Sequence, residues 1–378
     1  MEAINTSDLI SAFLTILYLA VVLSFIIGWR RLPGFTLPID SKLIKVSIIV
    51  AARNEEENIS KTISDLLAQD YDKTLMEIIF IDDHSTDGTG SIITSFNDPR
   101  IKLITLNEPL TINSYKKKAI QTAIAQAEGK LIITTDADCR MGKNWLKTIV
   151  GYYQQEGFKM ISSPVVFTEE KSFFERAQSL EFLYLIGMGA STIGNKSPST
   201  CNGANLAYER EAFYEVGGFT GIDDLASGDD ELLLHKIAAK YNNKIGFLKN
   251  SDAIVYTQAK PTVKEFIQQR KRWASKSTRY KNKSIIVLGV LVWLFNLSIV
   301  LNLVVGLFAR GYLQIGLAQL LIKMLIELLF LITVTRFAKR MELLFLIPAL
   351  NVMHIGYIIF IGIAGNSGKY NWKGRMVK

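Results

Sequence analysis

The amino-acid sequence predicts an α/β domain with a doubly wound sheet, joined to about four membrane-spanning helices. Between residues 46 and 135, short apolar and β-branched runs alternate with segments of helical spacing. Each run ends in polar residues, which is typical of a buried strand. Strands that alternate with helices favour a parallel sheet covered on both faces. Long apolar runs lie near both ends of the chain, and 49% of its 378 residues are hydrophobic.

The predicted strands cover residues 46–50, 76–81, 101–105 and 131–135, and the predicted helices cover 59–67 and 116–127. A Rossmann site for a dinucleotide would need a glycine-rich turn after the first strand, and residues 51–56 contain no glycine. A dinucleotide cofactor is therefore not expected.

Four apolar runs are candidates for transmembrane helices: residues 9–29, 284–308, 313–335 and 343–364. The first run has no charge and would span about 30 Å as a helix, enough to cross a bilayer. No basic residue precedes it, which disfavours a signal peptide, and Arg30 and Arg31 follow it. Six basic residues between 271 and 283 precede the second run. By the positive-inside rule, the polar middle of the chain is cytoplasmic, in a protein integral to the plasma or inner membrane.

We predict five segments: an N-terminal transmembrane helix at 1–31, a cytoplasmic α/β domain at 32–260, a basic amphipathic interfacial helix at 261–283, a transmembrane region at 284–364 and a basic tail at 365–378. If all four runs cross, the tail lies outside; a re-entrant run would keep it in the cytoplasm.

Lys323 and Glu327, inside the third run, either pair or line a polar passage. Aromatic residues near 171–190 predict a second interfacial helix or buried core.

The net charge of +8 does not predict a nucleic-acid partner. Many of the basic residues flank apolar runs, where they would face anionic lipid headgroups, and no nucleic-acid-binding motif is present. Membrane lipids are therefore the expected partners of these charges. The two cysteines, Cys139 and Cys201, form no zinc or disulfide pattern, which suits a reducing compartment.

The strongest candidate site follows the predicted strand at 131–135. Asp136 and Asp138 are two residues apart, so both can project together from the carboxyl end of that strand. Ligands of open α/β sheets bind at this end. Two carboxylates there are suitable ligands for Mg²⁺ or Mn²⁺, which could hold a diphosphate, although a solvated turn is the alternative.

Seven stretches of the chain together resemble the family 2 glycosyltransferases. They are residues 46–55, 81–89, 135–138, 201–205, 217–219, 228–230 and 269–273. The last stretch fits the family's Gln-x-x-Arg-Trp signature. The resemblance covers about residues 44–280. It implies a GT-A-like mixed sheet and an inverting, usually metal-dependent enzyme that uses a nucleotide sugar.

On the donor side, the resemblance implies that Asp138 binds the metal and that Asp136 is its partner near the ribose or diphosphate. Asp83 matches the carboxylate that accepts a hydrogen bond from uracil, so a UDP-sugar is the expected donor. Arg53 and Glu55 match the loop that frames the nucleotide. For Glu55, stabilisation of the next helix N-terminus is the alternative.

Two further elements resemble parts of the family's donor site. Lys116 matches a lysine that approaches the diphosphate, although Tyr115 replaces the usual glycine and a solvated basic turn is the alternative. Gln269, Arg272 and Trp273 are spaced to share one helix face. There Arg272 could bind the diphosphate through a bidentate fork, and Trp273 could stack on the acceptor sugar. A basic helix lying on lipid is compatible with both roles.

On the acceptor side, Cys201, Asn202 and Gly203 resemble the loop that lines the acceptor-sugar subsite, where glycine lets the backbone approach a ring. An ordinary turn is the alternative. Asp229 and Asp230 resemble the family's acid pair, whose second member is usually the general base. A negatively charged helix start is the alternative for this pair.

The sequence therefore predicts a membrane-bound inverting glycosyltransferase that moves a sugar from a UDP-sugar to a lipid or saccharide acceptor, with Asp230 as the base. A processive synthase that secretes a β-linked polysaccharide remains an alternative, as the Gln-x-x-Arg-Trp signature also occurs in cellulose, chitin and hyaluronan synthases. Two other classes remain: a transporter whose regulatory domain binds nucleotide without turnover, and a nucleotidyltransferase on a similar fold.

Overall fold

The computed structural model describes residues 5–38, 42–107, 114–280, 282–364, 370–372 and 375–377. The chain divides into two compact units. The sheet unit comprises Arg31–Glu169, Thr192–Ala259 and Lys369–Lys378, and the helical unit comprises Met1–Arg30, Glu170–Ser191 and Lys260–Gly368. Thus Glu170–Ser191, which lies inside the predicted domain at 32–260, belongs by its contacts to the helical unit. Most of the predicted tail at 365–378 lies outside the described residues.

The helices are α1 (Thr6–Arg31), α2 (Ile59–Leu67), α3 (Thr89–Ser95), α4 (Tyr115–Gln126), α5 (Trp145–Glu156), α6 (Phe173–Gly194), α7 (Arg210–Glu215), α8 (Glu231–Lys240), α9 (Val263–Ser275), α10 (Lys283–Val305), α11 (Arg310–Phe337) and α12 (Ile347–Ala364). The strands are β1 (Val46–Ala52), β2 (Met76–Asp83), β3 (Ile101–Leu106), β4 (Leu131–Asp136), β5 (Arg140–Met141), β6 (Met160–Ser162), β7 (Val165–Thr168), β8 (Leu206–Glu209), β9 (Ile245–Phe247), β10 (Val255–Gln258), β11 (Tyr370–Trp372) and β12 (Arg375–Val377). Short 3₁₀ helices cover Lys73–Leu75, Gly203–Asn205, Ser251–Ala253, Lys276–Arg279 and Met341–Leu346.

The core of the sheet unit is a seven-stranded mixed sheet in the order β3-β2-β1-β4-β8-β6-β9. β1 pairs in parallel with β2 and β4, and β2 pairs in parallel with β3. These three central strands, β1, β2 and β4, are buried along almost their whole length, as their continuous apolar sequences predict. The sheet is not wholly parallel, because β8 runs antiparallel to β4 and β6. The predicted α/β fold with a mixed sheet is confirmed.

The register of β1 brings the polar ends of its neighbours to one edge of the sheet. Ala51 pairs with Asp136 of β4, and Ala52 pairs with Asp82 of β2. Both β1 and β2 extend beyond their predicted ends, because the parallel pairing continues into the polar residues. The acids that end β2 and β4 therefore lie at the same edge as the segment that follows β1.

The helical unit contains the apolar helices that the sequence predicts. Four helices among the described residues are long and apolar enough to cross a membrane: Thr6–Arg31, Lys283–Val305, Arg310–Phe337 and Met341–Ile363. They coincide with the four predicted apolar runs to within a few residues. Most of α6 also belongs to this unit, and its residues Phe182, Leu183 and Tyr184 are buried, in agreement with the buried-core alternative.

A buried ion pair lies inside the helical unit. The ammonium group of Lys323 donates to Glu327 Oε1 at 2.6 Å and to Asn351 Oδ1 at 3.1 Å. The hydroxyl of Tyr18 on α1 donates to the same carboxylate oxygen of Glu327. The two charges inside α11 therefore pair with each other, which is the first of the two predicted alternatives. They also link α11 to α1 and α12.

We expect Lys323→Met to destabilise the protein strongly, because it leaves the Glu327 carboxylate charged and buried without its cation. Removing one partner of a buried pair typically costs about 3–5 kcal/mol. The double variant Lys323→Met/Glu327→Met should recover most of this loss, since replacing both charges removes the unpaired group. Thermal unfolding of the full chain in detergent measures both effects. Equal melting temperatures for the single variant and the native protein would contradict the prediction.

Candidate active site

Asp136 and Asp138 come together at the carboxyl end of β4. One ligand atom from each of Asp136, Asp138 and Cys139 lies within 4.8 Å of the others. Burial raises the pKa of the Cys139 thiol, and the carboxylates of Asp138 and Asp136 raise it further. A thiolate is therefore disfavoured here, and Asp136 and Asp138 supply the oxygen ligands of the group. A pair of hard oxygen ligands fits Mg²⁺ or Mn²⁺ and not a thiolate-bound metal.

Lys116 connects the metal-site acids with the second acid pair. Its ammonium group donates to Asp136 Oδ1 at 2.8 Å and lies 3.4 Å from Asp229 Oδ2. Burial tends to lower the pKa of Lys116, but the Asp136 and Asp229 carboxylates outweigh it and raise that pKa above its ordinary value. The lysine is therefore charged between two carboxylates and is not a solvated turn residue.

Asp230 lies immediately before α8 and contacts the predicted acceptor loop. Its side chain accepts hydrogen bonds from the backbone N–H of Glu231 at 2.6 Å and of Gly203 at 3.0 Å. A Cβ atom on Gly203 would lie 3.3 Å from the Cβ of Asp230, so the loop packs tightly against this acid. Asn202 accepts from the N–H of Ala204 at 2.9 Å and thereby caps the short helix Gly203–Asn205. Asp230 thus caps α8 and at the same time faces the loop that follows the half-buried Cys201.

The loops after β1 and β2 are joined by Arg53. Its guanidinium donates to the carbonyl oxygens of Asp83 at 2.8 Å and of His84 at 2.7 Å. The side chain of Asp83 is 2% exposed, and its Oδ1 lies 2.9 Å from Nδ1 of His84. The N–H of Glu55 donates to the hydroxyl of Thr89 at 2.8 Å. Arg53 therefore joins the end of β1 to the loop after β2, and Glu55 is bound to the first residue of α3.

Lys117 and Arg270 are buried charged residues that sequence reasoning did not select. Lys117 is 1% exposed and Arg270 is 2% exposed. The guanidinium of Arg270 pairs with Glu181 and lies 4.2 Å from the ring centroid of Trp273. Each of them lies in a run of three basic residues, 116–118 or 270–272, next to a predicted site residue. The local sequence does not indicate which residue of such a run is buried.

The signature residues of α9 belong to the helical unit. Gln269, Arg272 and Trp273 share one face of α9, as their spacing predicts. Gln269 accepts a hydrogen bond from Arg270 at 2.7 Å, and the ring of Trp273 lies 6.0 Å from that of Phe182. The other predicted site residues all lie in the sheet unit.

The fold is similar to that of a solved nucleotide-sugar enzyme. A mannosyltransferase from Pyrobaculum calidifontis, in complex with GDP-Man and Mn²⁺, aligns over 95% of this chain and 98% of its own length. The TM-score is 0.60 and the sequence identity is 19%. At this identity the similarity shows the fold alone.

Sequence matches point to one class of enzyme. Residues 47–217 match the family model described as Glycosyl transferase family 2. A β-monoglucosyldiacylglycerol synthase of Synechocystis sp. is 27% identical over 234 residues, which cover 61% of this chain and 47% of the relative. A probable glycosyltransferase of Bacillus subtilis is 27% identical over 246 residues, which cover 62% of this chain and 55% of the relative. The chain thus spans about half the length of these curated relatives. The matches support a family 2 glycosyltransferase domain.

Proposed function

We propose that the protein is a membrane-bound inverting glycosyltransferase that moves a sugar from a UDP-sugar to a lipid acceptor. The observation that carries this proposal is the position of Lys116 between the two acid pairs, 2.8 Å from Asp136 and 3.4 Å from Asp229. The residues for both halves of the reaction then lie next to each other in the sheet unit. Metal-site acids lie on one side of this lysine and the proposed general base on the other.

The donor half of the site stabilises the departing nucleotide. Asp138 and Asp136 would hold Mg²⁺ or Mn²⁺, which offsets the charge that develops on the diphosphate when it is bound. Lys116 keeps its charge beside these acids and donates to the same diphosphate. Asp83, at the end of β2, accepts from the uracil base, and Arg53 keeps the surrounding loops in place.

The acceptor half activates a hydroxyl group. Asp230 removes the proton of the acceptor hydroxyl as its oxygen attacks the anomeric carbon. The bond from that carbon to the diphosphate oxygen breaks on the opposite side, so the configuration inverts and UDP leaves. The N–H of Gly203 donates to Asp230 at 3.0 Å and keeps its carboxylate directed along the acceptor loop.

The acceptor is proposed to be a lipid, and the protein to be integral to the plasma or inner membrane with its sheet unit in the cytoplasm. Within the described ranges of the helical unit, four helices are long and apolar enough to cross a bilayer. Two arginines end α1 and several basic residues precede α10, which favours a cytoplasmic sheet unit. The Synechocystis relative is named for the synthesis of a glycolipid, which supports a lipid acceptor here.

The test is transfer from a panel of nucleotide sugars. Purified full-length protein is incubated with labelled UDP-glucose, UDP-N-acetylglucosamine or GDP-mannose, together with Mn²⁺ and a total lipid extract. We expect a labelled lipid with one or a few sugars from a UDP-linked donor, and EDTA should abolish its formation. Asp252→Asn, which changes an exposed carboxylate of the sheet unit, is the matched control and should keep full transfer.

The products distinguish the alternatives. Long glycan chains that organic solvent does not extract would indicate the processive polysaccharide synthase. Nucleotide binding without any product, for all three donors, would contradict a glycosyltransferase and favour a regulatory domain. Product formation that is insensitive to EDTA would contradict the assigned metal site.

A further inference from the structure

Three successive lysines in the first turn of α4 have different surroundings. Lys116 reaches the acid pairs, Lys118 is exposed, and Lys117 is 1% exposed. The ammonium group of Lys117 donates to the backbone carbonyls of Leu225 and Ser227, both at 2.6 Å. Lys117 is thus a buried cation whose hydrogen bonds within the described part of the chain go to backbone carbonyls.

The two carbonyls belong to the segment that carries the proposed base. We name residues 223–230 the base loop; it ends with Gly228, Asp229 and Asp230. A second contact joins the base loop to the start of α4, because the hydroxyl of Ser114 donates to the carbonyl of Asp223. The first turn of α4 therefore holds the base loop at both of these places.

The conformation of the base loop needs such support. Gly228 has φ of +86°, a left-handed conformation that favours glycine, and a Cβ atom there would lie 2.8 Å from Leu232. Burial lowers the pKa of Lys117 to about 8, although Asp229, Asp230 and two further acids of the loop oppose this shift. A buried ammonium that lost its two carbonyl partners would be strongly unfavourable, so Lys117 favours the one loop conformation that provides them.

We propose that Lys117 is a positioning residue that fixes the base loop, so that Asp230 stays against Gly203 on the acceptor side. This inference rests on the proposed function of Asp230. It also gives α4 two roles, since Lys116 contacts the donor-side acid Asp136 while Lys117 orders the acceptor-side acid. Displacement of a catalytic group by about 1 Å can cost about 100-fold in rate, which is the size of effect that such support can have.

The test is Lys117→Met, which keeps a long side chain and removes the hydrogen-bond donors. We expect kcat for sugar transfer to fall by about 10- to 100-fold, while KM for the nucleotide sugar and Kd for UDP stay within about twofold. Lys118→Met, on the exposed neighbour, is the control and should match the native protein. Lys117→Arg retains charge and donors and should recover part of the lost kcat.

A second variant keeps the inference testable if Lys117→Met does not fold. Ser114→Ala removes the hydrogen bond from the residue before α4 to the carbonyl of Asp223, and should lower kcat several-fold with KM unchanged. A folded Lys117→Met variant with native kcat would overturn the inference, and so would parallel losses of kcat and UDP affinity. If Asp230→Asn is inactive while Lys117→Met is fully active, only this inference fails. If Asp230→Asn is itself fully active, the proposed function fails.

Discussion

Asp138→Asn is expected to abolish sugar transfer and to weaken metal-dependent binding of UDP together. The substitution removes one of the two carboxylates whose ligand atoms converge beside β4. Loss of partners that only support a metal ligand typically costs about 10- to 100-fold in metal affinity. Loss of a direct ligand should therefore reduce transfer at least about 100-fold. Titration of UDP in the presence of Mn²⁺, compared with EDTA, measures the binding part of the effect.

The control for this variant is Asp252→Asn, which removes the same charge at an exposed position of the same unit. Its UDP affinity and transfer rate should equal those of the native protein. Native transfer by Asp138→Asn would contradict the assigned metal site. The assignment would also be contradicted if the UDP affinity of Asp138→Asn no longer depended on Mn²⁺ while its transfer stayed intact.

Asp230→Asn is expected to leave UDP binding intact and to reduce transfer by about 10²–10⁴-fold, the usual contribution of a positioned general base. Asparagine retains one side-chain oxygen, so it can keep one of the two hydrogen bonds that Gly203 and Glu231 donate to the separate carboxylate oxygens of Asp230. It cannot take up a proton from the acceptor. Steady-state transfer rates, with UDP affinity measured on the same preparation, separate the two effects.

Together, the two substitutions distinguish the classes of function that the sequence left open. If the sheet unit were only a regulatory domain of a transporter, Asp230→Asn should leave the protein fully functional, because Asp230 would have no catalytic role. A nucleotidyltransferase would need the metal acids but not Asp230. A glycosyltransferase needs the metal acids and Asp230. Nucleotide binding should then survive Asp230→Asn but be weakened by Asp138→Asn.

Much of the sheet could be predicted from local sequence, because buried parallel strands are continuous apolar runs. β1, β2 and β4 follow from such runs. Asp136 ends β4 and Asp138 lies in the turn after it, so their ligand atoms converge through this turn and not through strand alternation. The direction of a strand is harder to predict from local sequence. The four residues of β8 carry no signal that distinguishes antiparallel from parallel pairing, so only the family resemblance indicated a mixed sheet.

The environment of individual cations could not be predicted. Three adjacent lysines at 116–118 look alike in sequence, yet one reaches carboxylates, one is buried against carbonyls and one is exposed. The burial of Lys117 depends on its contacts with the base loop, which is more than a hundred residues away along the chain. In the same way, sequence reasoning selected Arg272 of α9, whereas the deeply buried guanidinium is that of Arg270.

The pairing of Ala51 with Asp136 has a consequence for how this protein can vary over evolution. Deleting one residue within β4 would turn Asp136 to the opposite side of the sheet, away from Lys116. Insertions and deletions should therefore be rejected inside β1, β2 and β4 and tolerated in the connections between them. We expect homologues to differ in length at those connections while keeping the spacing within the strands.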